Sequence, residues 1–279
     1  MKEFSNRVAV VTGGASGIGL AMAERFAAEG MKIVLADVEE GALAKTVAEM
    51  KAPGADVFAV TADVSRANAV EALADAVYSR HGAAHIVCNN AGVASRGVPC
   101  WEQSVEDWQW VMGVNFWGVI HGIRAFVPRM IAGGEEGHIV NTASVAGLSS
   151  SPFLGPYHAS KHAVVTVSEC LYFELAAAGS KLRASVLCPA CVNTKIGESG
   201  RNRPGGPDAP HPVSDAVAAG IRKLLAAGLS PESVAAQVFE AVRDERFWVL
   251  THPEWNPAIV KRVEDMTAQR NPELAKALG

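Results

Sequence analysis

The chain has 279 residues, 49% of them apolar, and a net charge of −4 at pH 7. This length fits one large α/β domain at least as well as two small ones, and the apolar content suffices for a sizeable core. The small negative charge argues against nucleic-acid binding, which requires a basic face. No stretch reaches the roughly eighteen consecutive apolar residues of a membrane span, and the polar N-terminus lacks a signal-peptide pattern. We therefore expect one globular, cytoplasmic domain over residues 1–279, with no nucleic-acid or membrane partner.

The predicted elements alternate between short apolar strands and amphipathic helices along most of the chain. Seven strands are predicted, at residues 8–11, 32–37, 57–61, 84–89, 138–142, 182–187 and 247–251. Helices are predicted at residues 17–28, 39–50, 66–80, 105–131, 157–178 and 232–243. This alternation indicates a parallel sheet with helices on both faces. Right-handed crossovers make it a doubly wound, Rossmann-type α/β fold.

Residues 201–212 interrupt this alternation. They form a Pro- and Gly-rich run that neither a helix nor a central strand tolerates. A loop of this length is either a functional lid or a linker. A linker would lead to a second domain, whereas only one helix and one strand follow, so we predict a substrate-binding lid over residues 193–230. The tail over residues 253–279 has helical spacing at residues 259–268 and could cover either the active site or a neighbouring subunit.

A glycine-rich turn joins the first predicted strand to the first predicted helix. In this setting Gly13 permits a tight turn, Gly17 lets the backbone approach a pyrophosphate, and Gly19 allows close packing of helix and strand. The helix N-terminus adds free N–H groups and a partial positive charge for the phosphates. The turn predicts a dinucleotide site with contacts from Gly13, Ser16, Gly17, Ile18 and Gly19.

Asp37 ends the second predicted strand, 18 residues after Gly19. A carboxylate at this place accepts hydrogen bonds from the 2′-hydroxyl of the adenosine ribose and repels a 2′-phosphate. No Arg or Lys stands at positions 14–16 or just after Asp37. We therefore predict NAD rather than NADP as the cofactor; the alternative is an aspartate that merely ends a strand.

Tyr157 and Lys161 are four residues apart where a helix is predicted to begin, so their side chains project from one face. A free phenol has a pKa of about 10. A nearby ammonium, with a positively charged nicotinamide ring, stabilises the phenolate and lowers this pKa. Ser144 stands where a parallel strand has just ended, which is where ligands bind in such sheets. The pattern predicts that Tyr157 exchanges a proton with an alcohol or ketone whose oxygen is held by Ser144.

Together these motifs resemble those of the short-chain dehydrogenase/reductase family from residue 7 to about residue 194. The matching segments are the glycine turn, Asp63-Val64, Asn89-Asn90-Ala91-Gly92, Val114-Asn115, Ser144 thirteen residues before Tyr157, and Tyr157-His158-Ala159-Ser160-Lys161. The resemblance implies an NAD-dependent oxidoreductase with a catalytic tetrad. In it, Asn115 holds a water near Lys161 and Ser144 orients the substrate. Tyr157 is the acid and base, and Lys161 tunes Tyr157 and binds the nicotinamide ribose.

The resemblance also implies cofactor contacts beyond the glycine turn, and an assembly. Asp63 and Val64 are expected at the adenine and Asn90 along the cofactor. Pro189, Val192 and Thr194 are expected at the nicotinamide amide. The family usually has Pro-Gly where this chain has Pro189-Ala190, so a methyl group narrows the nicotinamide end or fills space beside Cys191. The helices over residues 105–131 and 157–178 are the surfaces through which the family forms dimers and tetramers, so we expect a homo-oligomer such as a homotetramer.

A narrower resemblance concerns the substrate. Residues 126–131, residues 137–140 and the Pro-rich stretch resemble bacterial members of the family that oxidise bulky aromatic secondary alcohols, lignin-derived aryl ethers among them. Trp101, Phe153 and the lid are candidates for lining an apolar pocket. Alternatively, Trp101 and the aromatic residues of the helices serve packing or a subunit interface. The expected substrate is a bulky, hydrophobic alcohol or ketone.

Alternatives to these predictions concern the cysteines and the reaction. Cys188 and Cys191 form a C-x-x-C pair, for which a redox dithiol or half of a zinc site is conceivable. Cys188, however, ends an apolar run predicted as a buried strand, so we expect no metal and no thiol chemistry. An epimerase or dehydratase that retains its nicotinamide cofactor is a rival function, although such relatives typically have a shorter glycine spacing. A non-catalytic dinucleotide-sensing protein is another, and the presence of both Tyr157 and Lys161 disfavours it.

Overall fold

A single parallel sheet forms the centre of the protein. The computed structural model describes residues 1–50, 56–206 and 211–273. Within them the sheet has the order β3-β2-β1-β4-β5-β6-β7, with every neighbouring pair parallel. The strands are β1 (Val8–Thr12), β2 (Lys32–Asp37), β3 (Val57–Thr61), β4 (Ile86–Asn89), β5 (Gly137–Thr142), β6 (Leu182–Leu187) and β7 (Trp248–Val249). The predicted doubly wound α/β fold with about seven strands is confirmed.

Helices cover both faces of this sheet. In the described ranges they are α1 (Gly17–Ala27), α2 (Glu40–Met50), α3 (Ala67–His81), α4 (Val105–Met112), α5 (Gly118–Gly133), α6 (Gly155–Ala177), α7 (Pro212–Ala226), α8 (Pro231–Arg243) and α9 (Asn256–Thr267). Their ends follow local sequence signals. Ser104 and Asp107 form a reciprocal capping box at the start of α4, and Gly82 and Gly134 end α3 and α5 in the left-handed conformation.

The core follows from the two-residue periodicity of the strands. In β2, Ile33 and Leu35 face a cluster that includes Phe26 of α1, whereas Val34 faces a second cluster that includes Phe126 of α5. Both faces of this strand are therefore covered, which is why it reads as a continuous apolar run. The same holds for β1 and β4, so the sheet is a rigid platform for the side chains at its carboxyl edge.

Several predicted boundaries were wrong. The helix predicted over residues 105–131 is interrupted by a π-helical turn, Gly113–Trp117, between α4 and α5. Helix α7 was missed, since the Pro-rich run before it was taken to extend the loop. The tail helix α9 begins at Asn256, three residues earlier than predicted, and β7 has only two residues. Residues 207–210 of the predicted lid and residues 274–279 of the tail lie outside the described residues.

The described residues also bear on three questions raised by the sequence: a membrane span, a metal site and reactive thiols. None of their helices combines the length and the apolar character needed to cross a bilayer. They contain no cluster of three or more His, Cys, Asp or Glu residues that could hold a metal ion. Cys188 and Cys191 are both free thiols, and burial raises the pKa of Cys188 to about 12. A thiol with that pKa is a poor nucleophile at neutral pH. The cytoplasmic location stays a prediction.

Candidate active site

The residues predicted to act together meet at the carboxyl edge of the sheet. The strand order reverses between β1 and β4, and the segments that follow these two strands diverge there. In open parallel sheets such a switch point opens a crevice in which ligands bind. The glycine turn after β1, the loop after β4, Ser144 after β5 and the segment after β6 all lie around this crevice.

The glycine turn has the geometry that its sequence predicts. Gly13 and Gly17 have φ values of +65° and +56°, which disfavour residues with a side chain. A Cβ atom on Gly19 would lie 2.1 Å from the carbonyl oxygen of Gly13. Ser16 is exposed at the N-cap of α1, and its side chain makes no capping hydrogen bond. The half-buried Ile18 packs against the core. The turn thus presents unbonded donors at a helix N-terminus, which suits a phosphate.

Replacing Gly19 by Ala is expected to damage this turn. The new methyl group would overlap the Gly13 carbonyl, so the turn must open and the backbone donors move apart. We expect dinucleotide affinity to fall by at least about tenfold, or 1.4 kcal/mol, as measured by titration with NADH. Gly41→Ala is the matched control, because nothing lies within 4 Å of its added Cβ and alanine favours the helix α2. Unchanged NADH affinity in Gly19→Ala would contradict this role of the turn.

Asp37 is held at the end of β2 by two backbone amides. Its carboxylate accepts hydrogen bonds from the N–H of Ala15 at 3.0 Å and of Glu39 at 3.1 Å. These bonds fix the carboxylate beside the glycine turn. Beyond them, Arg201 and Asn202 donate hydrogen bonds to Glu39, at 3.0 Å and 2.8 Å, and lower the pKa of this carboxyl. The guanidinium of Arg201, from the segment predicted as a lid, therefore lies near the predicted ribose site. Arg201 follows Glu39 by 162 residues in sequence and is already paired with its carboxylate.

Three further predicted cofactor residues follow the carboxyl ends of β3 and β4. The Asn90 amide donates to the Thr12 carbonyl at 3.0 Å and accepts from the Thr142 hydroxyl at 3.2 Å, so it joins the ends of β1 and β5. The Asp63 carboxylate accepts from the backbone and hydroxyl of Ser65. Val64 is buried against Gly118 of α5. Asn90 and Asp63 thus make fixed contacts within the protein, and their contacts with a cofactor stay predictions.

Ser144, Tyr157 and Lys161 converge from β5 and α6. A hydrogen bond links Ser144 to Tyr157. The Ser144 Oγ donates to the Pro189 carbonyl at 3.1 Å and accepts from the Ala146 N–H at 3.1 Å. Lys161 Nζ lies 5.7 Å from the centre of the Tyr157 ring and donates to the carbonyl of Thr142 at 2.9 Å. Ser144 and Tyr157, which are predicted to act on one substrate oxygen, are therefore brought together with Lys161, which is predicted to tune Tyr157.

Burial dominates the titration of this pair. Lys161 is 2% exposed, and the loss of hydration lowers its pKa to about 8. Burial also raises the pKa of Tyr157, and the hydrogen bond with Ser144 offsets this only in part. In the protein without cofactor, the pKa of Tyr157 is therefore not lowered as predicted, because desolvation outweighs any effect of Lys161. That prediction also requires the positive charge of the nicotinamide ring.

Asn115 lies in the π-helical turn between α4 and α5. Its Oδ1 accepts from the Val93 N–H at 2.8 Å, and its Nδ2 donates to the Val93 carbonyl at 3.0 Å and the Ser160 hydroxyl at 3.1 Å. Both amide protons are therefore used, and the side chain ties the loop after β4 to α6. The predicted water between Asn115 and Lys161 stays a prediction, and only Oδ1 or the main chain of Asn115 has capacity left to hold it.

The segment after β6 faces the glycine turn across the crevice. Thr194 Cγ2 would lie 3.1 Å from a Cβ on Gly17. Ser16, Asn193 and Thr194 are among the residues that line a cleft of about 450 Å³. Val192 is buried and pairs with Leu229. The carbonyl of Pro189 accepts a hydrogen bond from the Ser144 hydroxyl. The segment is thus positioned between the glycine turn and Ser144.

The segment predicted as a lid contacts α4 and the turn before it through polar side chains. Arg203 pairs with the buried Asp107 of α4 at 2.7 Å, and His211 pairs with Glu102 at 3.1 Å. Helix α7 packs against the loop after β4, where a Cβ on Gly97 would lie 2.6 Å from Val217. Helix α7 therefore lies within the predicted lid, whose function stays a prediction.

Two residues that the sequence analysis missed fix the segment that precedes α6. Gln103 Nε2 donates to the carbonyls of Val98 and Phe153, and so joins two loops. His158 Nδ1 lies 2.9 Å from the carbonyls of Ala146 and Ser149, so it is the protonated nitrogen. This histidine ties the Ser144 loop to α6 directly beside Tyr157. No sequence pattern announces either residue, because all these partners are backbone atoms of other segments.

The fold, the phosphate turn and the Tyr–Lys pair define an oxidoreductase of the dinucleotide-binding α/β class. The model of the short chain dehydrogenase family matches residues 7–204, and the chain belongs to that family. A short-chain dehydrogenase/reductase from Burkholderia phymatum in complex with NAD is 47% identical, with both chains fully covered and a TM-score of 0.96.

Two curated relatives extend this likeness. The 1-deoxy-11-beta-hydroxypentalenate dehydrogenase of Streptomyces arenae is 40% identical, over 89% of this chain and 83% of the relative. The C alpha-dehydrogenase of Sphingobium sp. is 36% identical, over 95% of this chain and 86% of the relative. Since these relatives are dehydrogenases, the prediction of an enzyme of this kind is confirmed.

Proposed function

We propose that this enzyme interconverts a bulky, hydrophobic secondary alcohol and its ketone with NAD as the hydride carrier and Tyr157 as the acid and base. The observation that carries the proposal is the convergence of Ser144, Tyr157 and Lys161 beside a glycine turn whose helix N-terminus presents unbonded donors. A general acid–base residue of this kind contributes about 10²–10⁴-fold in rate.

The described residues fit a dinucleotide. The first turn of α1 contains no acidic residue that would repel a pyrophosphate, and Gly13, Ser16, Gly17, Ile18 and Gly19 surround that position. Asp37 would take the adenosine ribose, Asp63 and Val64 the adenine, and Asn90 would lie along the cofactor. Tyr157 and Lys161 would take the nicotinamide ribose, and Pro189, Val192 and Thr194 the amide. Bound NAD would supply the hydride acceptor at its nicotinamide ring.

The proton step falls to the side chains of α6 and β5. In the oxidative direction the Tyr157 phenolate accepts the hydroxyl proton as the carbinol carbon loses a hydride; in the reductive direction the phenol returns it. Ser144 now donates to Pro189. Rotation about its Cβ–Oγ bond directs that proton to the substrate oxygen, while the N–H of Ala146 can still donate to Oγ. Lys161, when protonated, stabilises the phenolate through its charge.

A bulky apolar substrate is supported by two large aromatic side chains at the protein surface. Phe153 has a φ of +72° and is 36% exposed, and Trp101 is 85% exposed. Trp101 thus stands at the surface rather than in an enclosed pocket, where it is available to a large ligand or to a neighbouring subunit. One of the relatives is named as a dehydrogenase of 1-deoxy-11-beta-hydroxypentalenate, a substrate that carries a hydroxyl group, which supports an alcohol as the substrate.

A preference for NAD over NADP is expected to depend on Asp37. Its fixed carboxylate would repel a 2′-phosphate, so Asp37→Asn should lower the ratio of kcat/KM for NAD to that for NADP by at least about tenfold, or 1.4 kcal/mol. The amide oxygen can still accept from the Ala15 N–H beside the glycine turn, whereas the Glu39 N–H loses its acceptor. Asp75→Asn on the exposed face of α3 is the control and should leave the ratio unchanged. An Asp37→Asn enzyme with the wild-type ratio would sink this role.

The expected homo-oligomer is supported by exposed apolar residues on the two helices that the family uses for assembly. They are Val105, Trp117, Ile131, Tyr172 and Phe173. Large exposed apolar residues on helix faces are a common mark of subunit contacts. A dimer or tetramer in light scattering would fit this surface, whereas a monomer at micromolar concentration would remove the oligomer from the proposal.

The experiment that tests the proposed function is turnover with NAD and a panel of hydrophobic secondary alcohols, followed by the absorbance of NADH. We expect NADH to form with at least one bulky aromatic or alicyclic alcohol. Tight NADH binding without turnover across a broad panel would favour the dinucleotide-sensing alternative. Interconversion of stereoisomers without net NADH formation would favour the epimerase.

A further inference from the structure

His252 lies three residues after the end of β7, outside the part of the chain that the family model matches. It is 6% exposed and hydrogen-bonds two peptide groups of the segment after β6, Pro189–Ala190 and Cys191–Val192. Its Nδ1 accepts a hydrogen bond from the N–H of Ala190 at 3.1 Å, and its Nε2 lies 3.0 Å from the carbonyl of Cys191. A backbone N–H only donates and a carbonyl only accepts, so the ring is neutral with its proton on Nε2. The Thr251 hydroxyl, 2.7 Å from Nδ1, is a second donor to that nitrogen.

The Pro189–Ala190 peptide group, whose N–H binds His252, also accepts a hydrogen bond from Ser144, the serine of the proposed site. Its carbonyl, that of Pro189, accepts from the Ser144 hydroxyl at 3.1 Å and from the N–H of Val145 at 2.9 Å. On the other side, the carbonyl of Cys191 also accepts from the N–H of Leu229 at 3.0 Å. The backbone between the two carbonyls is therefore fixed by partners from three separate segments. Of these, only His252 satisfies the N–H of Ala190.

We propose that His252 is a positioning residue for the nicotinamide end of the cofactor. It sets the orientation of the Pro189–Ala190 and Cys191–Val192 peptide groups, and through them the position of Val192 and Thr194. It touches neither substrate nor cofactor and acts through this backbone. The inference rests on the proposed use of NAD. A small misplacement of a reactant costs a large factor in rate, so a side chain that fixes the backbone beside the nicotinamide contributes to catalysis from outside the reacting groups.

The inference is tested by His252→Leu with two ligands, NADH and ADP-ribose. ADP-ribose carries the adenosine, both phosphates and the second ribose but lacks the nicotinamide. We expect NADH to bind at least about tenfold more weakly to the variant, or 1.4 kcal/mol, and ADP-ribose to bind as it does to the wild type. Equal weakening of both ligands, or of neither, would overturn the inference. Failure of the wild-type enzyme to bind NADH would instead overturn the proposed function, and the inference with it.

Two conservative variants and a control separate positioning from loss of stability. The Oδ1 of His252→Asn can still accept from Ala190, and the Nε2 of His252→Gln can still donate to Cys191. We expect the Asn variant to recover most of the NADH affinity and the Gln variant less, because Cys191 retains Leu229 as a donor. Should the Leu variant not fold, the Asn and Gln variants carry the comparison, and equal NADH affinity in both would overturn the inference.

His138→Leu is the matched control. His138 is fully buried in β5 and lies 2.7 Å from the Ser185 hydroxyl, but at the amino end of the sheet, away from the crevice. This variant should change thermal stability and leave the affinities for NADH and ADP-ribose unchanged. A His138→Leu enzyme that loses NADH selectively would show that any buried histidine has this effect, and would overturn the inference.

Discussion

Tyr157→Phe is expected to lower turnover by about 10²–10⁴-fold and to weaken NADH binding by no more than about tenfold, the contribution of one hydrogen bond to the nicotinamide ribose. The substitution removes only the hydroxyl that exchanges the proton and keeps the ring in place. Ser144 retains Pro189 and Ala146 as partners, so no buried polar group is left unpaired. The fold should therefore be intact, and the loss should appear in kcat far more than in cofactor affinity.

Initial rates and NADH titration measure this difference. The matched control is Tyr172→Phe on the same helix, where the ring is 36% exposed and distant from Ser144. This control should retain wild-type turnover. A Tyr157→Phe enzyme with turnover near that of the wild type would remove Tyr157 from the acid–base role.

Lys161→Met is expected to raise stability and abolish activity. At pH 7 the folded protein holds a buried ammonium whose pKa is lowered from 10.5 to about 8. A shift of this size corresponds to about 3 kcal/mol of destabilisation. Methionine removes that cost, although the Thr142 carbonyl loses a hydrogen bond, which takes back about 1–3 kcal/mol. We expect a net rise in Tm of a few degrees and a loss of turnover of at least about 10²-fold.

The pH dependence of stability gives this prediction its sign. Since the Lys161 pKa is lowered on folding, the unfolded chain binds more protons between pH 8 and 10.5, and wild-type stability rises in that range. The raised pKa of Tyr157 acts oppositely, but only above about pH 10. The advantage of Lys161→Met in thermal unfolding without cofactor should thus shrink between pH 7 and pH 9.5. Lys45→Met, at an exposed lysine of α2, should show neither effect, and an advantage that grows with pH would contradict the account.

Much of the fold was predictable because the strands are buried on both faces. Apolar runs such as residues 32–37 stand out in the sequence, and their regular alternation with helices leaves few topologies. Helix α7 was missed although Val217, Ile221 and Leu225 have helical spacing, because the Pro-rich run before it dominated the interpretation. The π-helical turn that holds Asn115 has no comparable signal, since one extra residue in a helical turn leaves the apolar pattern almost unchanged.

Some residues of the candidate site were likewise predictable from the sequence, and others were not. Gly19 and Asp37 were predictable because a turn and a strand end each require a particular residue type. His252 and Gln103 were not, because their partners are backbone atoms distant in sequence. Arg201 near Asp37 was missed for the same reason, since Glu39, its partner, precedes it by 162 residues. The pKa of Lys161 depends on burial, which the spacing of Tyr157 and Lys161 does not reveal.

The central claim is hydride transfer between a nicotinamide and a secondary carbinol carbon. It is tested most directly by incubating the enzyme with a bulky hydrophobic ketone and NADH that carries deuterium at C4 of the transferred face, followed by mass spectrometry of the product. We predict an alcohol with one deuterium at the carbinol carbon, formed by the wild type and by Tyr172→Phe but at least about 10²-fold more slowly by Tyr157→Phe. An unlabelled alcohol, or the absence of any alcohol from every ketone tested, would contradict the claim.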